Sequence, residues 1–196
     1  MIVVGLDLSL TNAGVVVIDT DPFTINESLH SSKPGKRVTV DSVTNGRKSK
    51  AFYPVTDRAE RLMMLTDSIL GVLPPVIDLA VVEAPSFASI GGFTHERSGL
   101  YWMIMTQLVQ HCEIAEIAPR VRALYATGKG NADKMSVVEA TVKRHRLNFT
   151  NDNLIDAFVL ASMGLRSLDH PIERDLPQAQ IDAMKSVFWH NRKATS

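Results

Sequence analysis

The chain is short of cysteine, has no long apolar run and carries no excess of either charge, and each shortage removes a class of protein. Its single cysteine, Cys112, cannot close an internal disulfide, which suits a reducing cytoplasm. No stretch reaches the roughly 18 consecutive apolar residues of a transmembrane helix, so no membrane association is expected. The opening MIVVGLDLSL has neither a basic n-region nor a small-residue cleavage site, and so does not read as a secretory signal. Lys and Arg number 21 and Asp and Glu also 21, so a basic footprint spread over the whole protein is absent. Any nucleic-acid contact must come from local clusters. The six histidines form no HxxxH pair and no Cys–His spacing that would suit zinc. No repeat or low-complexity segment is visible. What remains is 196 residues, 45% of them apolar, enough for one ordinary domain with a full core.

Against that background three acids stand out because each is alone in an apolar stretch. Asp7 lies in MIVVGLDLSL, Glu83 ends VIDLAVVEAP, and Asp156 interrupts LIDAFVLASMGL. A carboxylate buried without a partner costs several kcal/mol or shifts its pKa until it protonates. None of the three segments holds a Lys or Arg. The economical remedy is to gather the acids at one place and neutralise them with divalent cations.

Residues 2–8 read as a buried strand and LTNAG as a turn into a second strand, Val15–Asp19, an antiparallel start to a sheet. Residues 21–53 predict at least one more strand, with RVTVDSV the β-like stretch, and a partly basic loop. DRAERLMMLTDSIL has helical period, with Asp57 as its N-cap and Gly71, Pro74 and Pro75 ending it. A strand over Ile77–Glu83, a helix over Thr94–Cys112 and a short strand over Glu113–Ala118 follow. A helix Lys134–His145 capped by Asp133 and a core helix from Asn151 to Leu168 complete the pattern. QAQIDAMKSVFW, within a tail 171–196, has the pattern of an amphipathic helix. The order β-β-β-α-β-α-β-α-α predicts an α/β domain whose mixed β-sheet combines an antiparallel first hairpin with later parallel strands, flanked by helices.

Four motifs in order, GLDLSLTNAG at 5–14, VVEAP at 81–85, TGKGNADK at 127–134 and DNLIDAF at 152–158, resemble the RuvC-like Holliday junction resolvases of the RNase H-like superfamily. The resemblance covers roughly residues 1–165 and sets a nuclease domain, 1–170, apart from the tail. The form Asp-Asn-x-x-Asp-Ala is similar to phage-type members, whereas many cellular members resemble Asp-x-x-Asp; Asn153 stands three before Asp156.

The resemblance implies that Asp7, Glu83, Asp156 and Asp152 hold two Mg²⁺ or Mn²⁺ ions, with Asp7 bridging both. Asp152 and Asp156, four apart, share one helix face. Asp152 has a competing role as an ordinary N-cap, and Asn153 is a neutral substitute at the neighbouring position. Lys129 and Lys134, by resemblance, contact the scissile phosphate or the backbone near it. A glycine-rich loop with two lysines offers N–H groups and charge to a phosphate, although such a string is more often a solvated turn. It is not a Walker A loop, because GKG lacks the Ser or Thr and Ala123 stands in place of the first Gly. Phe87 and Phe93 compete for the place of the aromatic that wedges into a junction, and either also suits plain packing. The large apolar residues of 98–112 read as core, with part of one face implied as a homodimer interface.

The function implied is a structure-selective endonuclease that resolves four-way DNA junctions by two-metal-ion hydrolysis. The same acids equally suit a nuclease acting on RNA or on other branched or single-stranded nucleic acid. A non-catalytic junction-binding protein fits the neutral net charge. A sugar-kinase or actin-like ATPase needs two such lobes, and 196 residues supply one.

Overall fold

A computed structural model describes residues 1–38, 52–85 and 93–189. Within them a five-stranded sheet has the order β3-β2-β1-β4-β5, built from β1 (Ile2–Asp7), β2 (Ala13–Thr20), β3 (Phe23–His30), β4 (Leu79–Glu83) and β5 (Glu113–Ile117). β1, β2 and β3 pair antiparallel, while β4 joins β1 in parallel and β5 joins β4 in parallel. The mixed sheet is the one expected. The further strand expected within residues 21–53 is FTINESLH; of the β-like stretch RVTVDSV, residues 39–43 lie outside the described part.

Period-2 alternation divides the sheet residues between two cores. Val4, Leu6, Val15, Ala80 and Val82 face α1 (Val55–Leu70) and α2 (Thr94–Leu108). Val3, Val16, Ile18, Leu79, Val81, Ala115 and Ile117 face the other layer. That layer holds α3 (Pro119–Thr127), α4 (Lys134–His145) and α5 (Asp152–Ser167), followed by α6 (Gln178–Asp182) and a 3₁₀ turn over Ala183–Ser186. Leu176, Met184, Val187 and Trp189 from the C-terminal segment are buried in the same core. No helix among the described residues is long and apolar enough to cross a membrane.

α5 is the central element of this layer. Every residue from Leu154 to Leu165 is buried, because the sheet covers one side of the helix and α3 and α4 another. Asn151 caps it, its side chain accepting from the amides of Asn153 (3.1 Å) and Leu154 (3.3 Å). The helix lies directly on β1 and β2 because two glycines admit it. A Cβ on Gly5 would fall 1.9 Å from the Ala157 carbonyl oxygen, and one on Gly14 would fall 2.2 Å from that of Asn153.

Several elements depart from the sequence expectation. α1 starts at Val55 behind Pro54, so Asp57 is in the first turn and does not cap it. α2 stops at Leu108, before Cys112. Helix α3, with Pro119 at its first position, was not foreseen. The forecasts for α4 and its Asp133 cap, which accepts from Ser136, match the structure.

The close approach of α5 sets an expected outcome. Gly5→Ala should cost at least about 3 kcal/mol, above the usual range for overpacking, because backbone rather than a flexible side chain blocks the methyl. Gly99→Ala, in α2 and facing only the Leu62 Cδ1 at 3.2 Å, should change stability by no more than about 1 kcal/mol. Urea unfolding of both variants checks the contrast.

Candidate active site

Three parallel strands end at the same edge of the sheet. Leu6 pairs with Val82, so the next residues, Asp7 and Glu83, emerge side by side at the ends of β1 and β4. Asp7 therefore closes its strand rather than lying in the middle of it. Both follow the alternation of Val3 and Val81, which aims them at the α5 layer. β5 ends opposite Glu83 at Ile117, and the chain then turns into α3 at Pro119. Ligand sites in such sheets lie outside the carboxyl ends of the strands.

From the facing layer α5 contributes Asp156 and α3 contributes Arg122, each less than one-tenth exposed. The Arg122 guanidinium sits between two carboxylates: its Nε is 2.5 Å from Glu83 Oε2, and its Nη1 is in direct contact with Asp156 Oδ1. The positive charge that the three apolar segments lack thus comes from a separate helix. Among the described residues no group of three or more His, Cys, Asp or Glu side chains is gathered closely enough to hold a metal ion. The acids meet through Arg122.

Asp7 has no such partner. It lines the cleft, yet burial pushes its carboxyl up to about 7, and the neighbouring Glu83 adds to the rise, while Arg122 and Lys134 act against it. Glu83 is also raised by burial, with Arg122 pulling it back. Asp152, one residue into α5, is not the N-cap, since Asn151 takes that role. Its Oδ2 accepts from Lys134 Nζ at 2.6 Å, which holds its carboxyl below the usual range. The side-chain amide of Asn153 donates to the Asn12 carbonyl, tying the start of α5 to the loop after β1.

The structure therefore brings Asp7, Glu83, Asp156, Asp152 and Lys134 into one electrostatic neighbourhood. Lys129 is exposed on the turn after α3, where its backbone bonds to Thr127, and makes no ion pair with these acids. Phe87 lies outside the described residues. Phe93, at the head of α2, is held between the Arg61 guanidinium (5.4 Å to the ring centroid) and the Tyr53 ring (5.3 Å). A cleft of about 400 Å³ opens beside the acids, lined by Asp7, Glu83, Arg61, Phe93, Arg97 and Tyr101 among others. Arg122 was missed because its helix was missed; the signal available was Pro119 at a helix start with an arginine one turn further on.

The Asp7 shift carries a sign. Unfolded, the group ionises near 3.8; folded, it keeps its proton to about 7. The native state thus binds the extra proton between those values, and stability falls as pH rises through that window, then levels off. In EDTA, Asp7→Asn should stabilise the protein at about pH 8, by up to roughly 4 kcal/mol, and change little at about pH 4. Thermal unfolding across the range measures this. An equal effect at both ends would contradict the assignment.

No family model matches the chain, and no curated protein matches its sequence. Solved structures do. Thermus thermophilus RuvC aligns with a TM-score of 0.56 at 15% identity, over 87% of this chain and 98% of that one. T. thermophilus RuvC in complex with a Holliday junction substrate aligns with a TM-score of 0.61 at 14% identity, over 86% and 96%. At that identity the likeness establishes architecture: the mixed sheet and its helical layers have the fold of RuvC.

Proposed function

We propose that this chain is a structure-selective DNA endonuclease that resolves four-way (Holliday) junctions by metal-assisted phosphodiester hydrolysis. The observation that carries the proposal is the convergence of Asp7, Glu83 and Asp156, from two strand ends and a buried helix, in the fold of a protein solved on a Holliday junction.

The donor set fits a hard divalent cation. Asp7, Glu83, Asp156 and Asp152 offer only oxygen, the chemistry Mg²⁺ and Mn²⁺ prefer. These four carboxylates face two cations, Arg122 and Lys134, so the ionised cluster has surplus negative charge, consistent with the displaced titration of Asp7. When bound, the metal would supply an activated water and stabilisation of the leaving 3′-oxygen. The protein's own groups divide the remaining work. Arg122 neutralises Glu83 and Asp156 while they have no other cation; released from them, its guanidinium is placed to hold a phosphate oxygen. Lys134, exposed at the head of α4, and Lys129 on the adjoining turn supply further positive charge to the backbone. The wedge role falls to Phe87, because Phe93 is already held by Arg61 and Tyr53.

A homodimer would present two such sites to strands of like polarity. Trp102 on α2 (63% exposed) and Val109 just past its end (67%), with Met63 and Met64 on the neighbouring α1, give exposed apolar side chains suited to a second copy.

Incubation with a synthetic four-way junction, a flap and an RNA–DNA hybrid, with Mg²⁺ or Mn²⁺ and with EDTA, tests the proposal. Paired nicks at symmetric positions of the junction are expected, only with metal. Asp7→Asn and Glu83→Gln should each lower the rate by about 10³-fold, equivalent to roughly 4 kcal/mol, and keep binding. Absence of junction cutting would overturn the proposal; preferential cutting of the hybrid would move the substrate to RNA.

A further inference from the structure

A second hollow, of about 490 Å³, is lined by Arg37, Phe52, Tyr53, Arg58 and His95, with Phe93, Thr94 and Glu96. Phe93 and Thr94 belong to the walls of both the hollow and the acid cleft, so the two adjoin. Neither the acids nor the lysines considered above touch it.

Two aromatic rings stand between two cations in a column beside it. The Arg37 Cζ stands 5.4 Å from the Tyr53 centroid, Tyr53 is 5.3 Å from Phe93, and the Arg61 Cζ is 5.4 Å from Phe93 on the other side. Arg61 anchors the inner end. It is buried, and its guanidinium donates to the carbonyls of Leu10 and Ser32, both at 3.0 Å, and to Ser32 Oγ at 2.9 Å. Leu10 is three residues beyond Asp7. The column therefore runs from the loop after β1 outward to the exposed Arg37. Beside it, the paired backbones of Val38 and Phe52 (2.9 and 3.1 Å) fix the spacing, and Phe52 remains 49% exposed.

The charge of this region contrasts with the neutral whole. Among the described residues, 31–38 and 52–53 carry Lys33, Lys36 and Arg37 and no acid. Lys33, Lys36 and Arg37 are exposed. Of the lining acids, Glu96 is nearly buried and paired with Arg58 at 3.1 Å, so it leaves the hollow net positive. An exposed ring, Phe52, in the same wall as the cations Arg37 and Arg58 is what unpaired nucleic acid needs: bases stack on the ring whatever their identity, and phosphates meet the cations. Duplex DNA offers phosphates to the same charges but hides its base faces.

We infer that this hollow binds an unpaired stretch of the DNA strand leading to or from the cutting site, one base stacking on Phe52 and a phosphate held by Arg37. The inference rests on the nuclease reading above and adds a substrate feature to it: recognition of unpaired bases where the arms of the junction meet. It also places nucleic-acid affinity in a locally basic segment of a chain with no net charge.

Fluorescence anisotropy in EDTA, with oligo(dT), a four-way junction and a matched duplex as probes, tests it. Both side chains are exposed, so their replacement leaves the core intact. Phe52→Ala should weaken oligo(dT) binding about tenfold without altering the salt slope, and Phe52→Trp should restore it. Arg37→Ala should weaken it comparably and reduce the slope by about 0.7. Duplex binding should change far less. If the wild type binds the junction while these variants bind oligo(dT) and junction as tightly as it does, the hollow is not a strand site and the nuclease reading survives. Equal losses on duplex and oligo(dT) would reduce it to general charge and overturn the base-stacking claim. A wild type that binds no junction removes both.

Discussion

One guanidinium holds the candidate site together. Arg122 is less than one-tenth exposed and lies between Glu83 from the sheet and Asp156 from the buried helix α5. Without it, two carboxylates would face each other in the interior with no counter-charge, a situation that costs about 3–5 kcal/mol when one partner of a buried pair is removed. The sheet edge, the helix resting on it and the helix that follows β5 are all constrained to deliver these three groups to one place. Gly5 and Gly14 serve the same end, since they let α5 approach closely enough for Asp156 to reach its partner.

The helix that carries the arginine is itself tied to its neighbours. Tyr125, three residues further along α3, donates its hydroxyl to Glu173 Oε1 at 2.8 Å and accepts from Arg166 Nε at 2.9 Å. Arg166 also donates to Glu173 Oε2 at 3.0 Å. These bonds join α3, the end of α5 and the segment after it, and burial with the nearby Glu173 charge drives the Tyr125 hydroxyl pKa upward. The C-terminal segment continues the brace with Met184, Val187 and Trp189 in the core, the Trp189 indole donating to the Met184 carbonyl at 3.1 Å. The site is thereby backed by a buried, hydrogen-bonded layer, the arrangement a reaction centre requires to keep charged groups in fixed relation.

The sequence made the acids legible because a charge inside an apolar run is improbable unless something neutralises it. It made most elements legible for a related reason: α4, α5 and the strands around the acids have clear period and clear caps. The neutraliser was harder to see. PRVRALYAT is nine residues with little amphipathic contrast, and Arg122 within it looks like any surface arginine until β5 aims the helix at Glu83. The strand expected within residues 21–53 is FTINESLH, which is largely exposed and polar on both faces, so alternation did not single it out, whereas RVTVDSV alternates well. Asp152 looked like a cap because it begins a helix, but Asn151 one residue earlier has the geometry, which leaves Asp152 to Lys134. Long-range pairing of charge is the part that local pattern cannot supply.

The central claim is that Arg122 and the acids behave as one buried electrostatic unit. A double-mutant cycle between Arg122→Met and Asp156→Asn, read by urea unfolding at neutral pH without divalent metal, measures it directly. A coupling of about 3 kcal/mol is expected, with the double variant far more stable than the two single losses would sum to. A coupling within about 0.5 kcal/mol of zero would mean that the two groups are independent, and would contradict it.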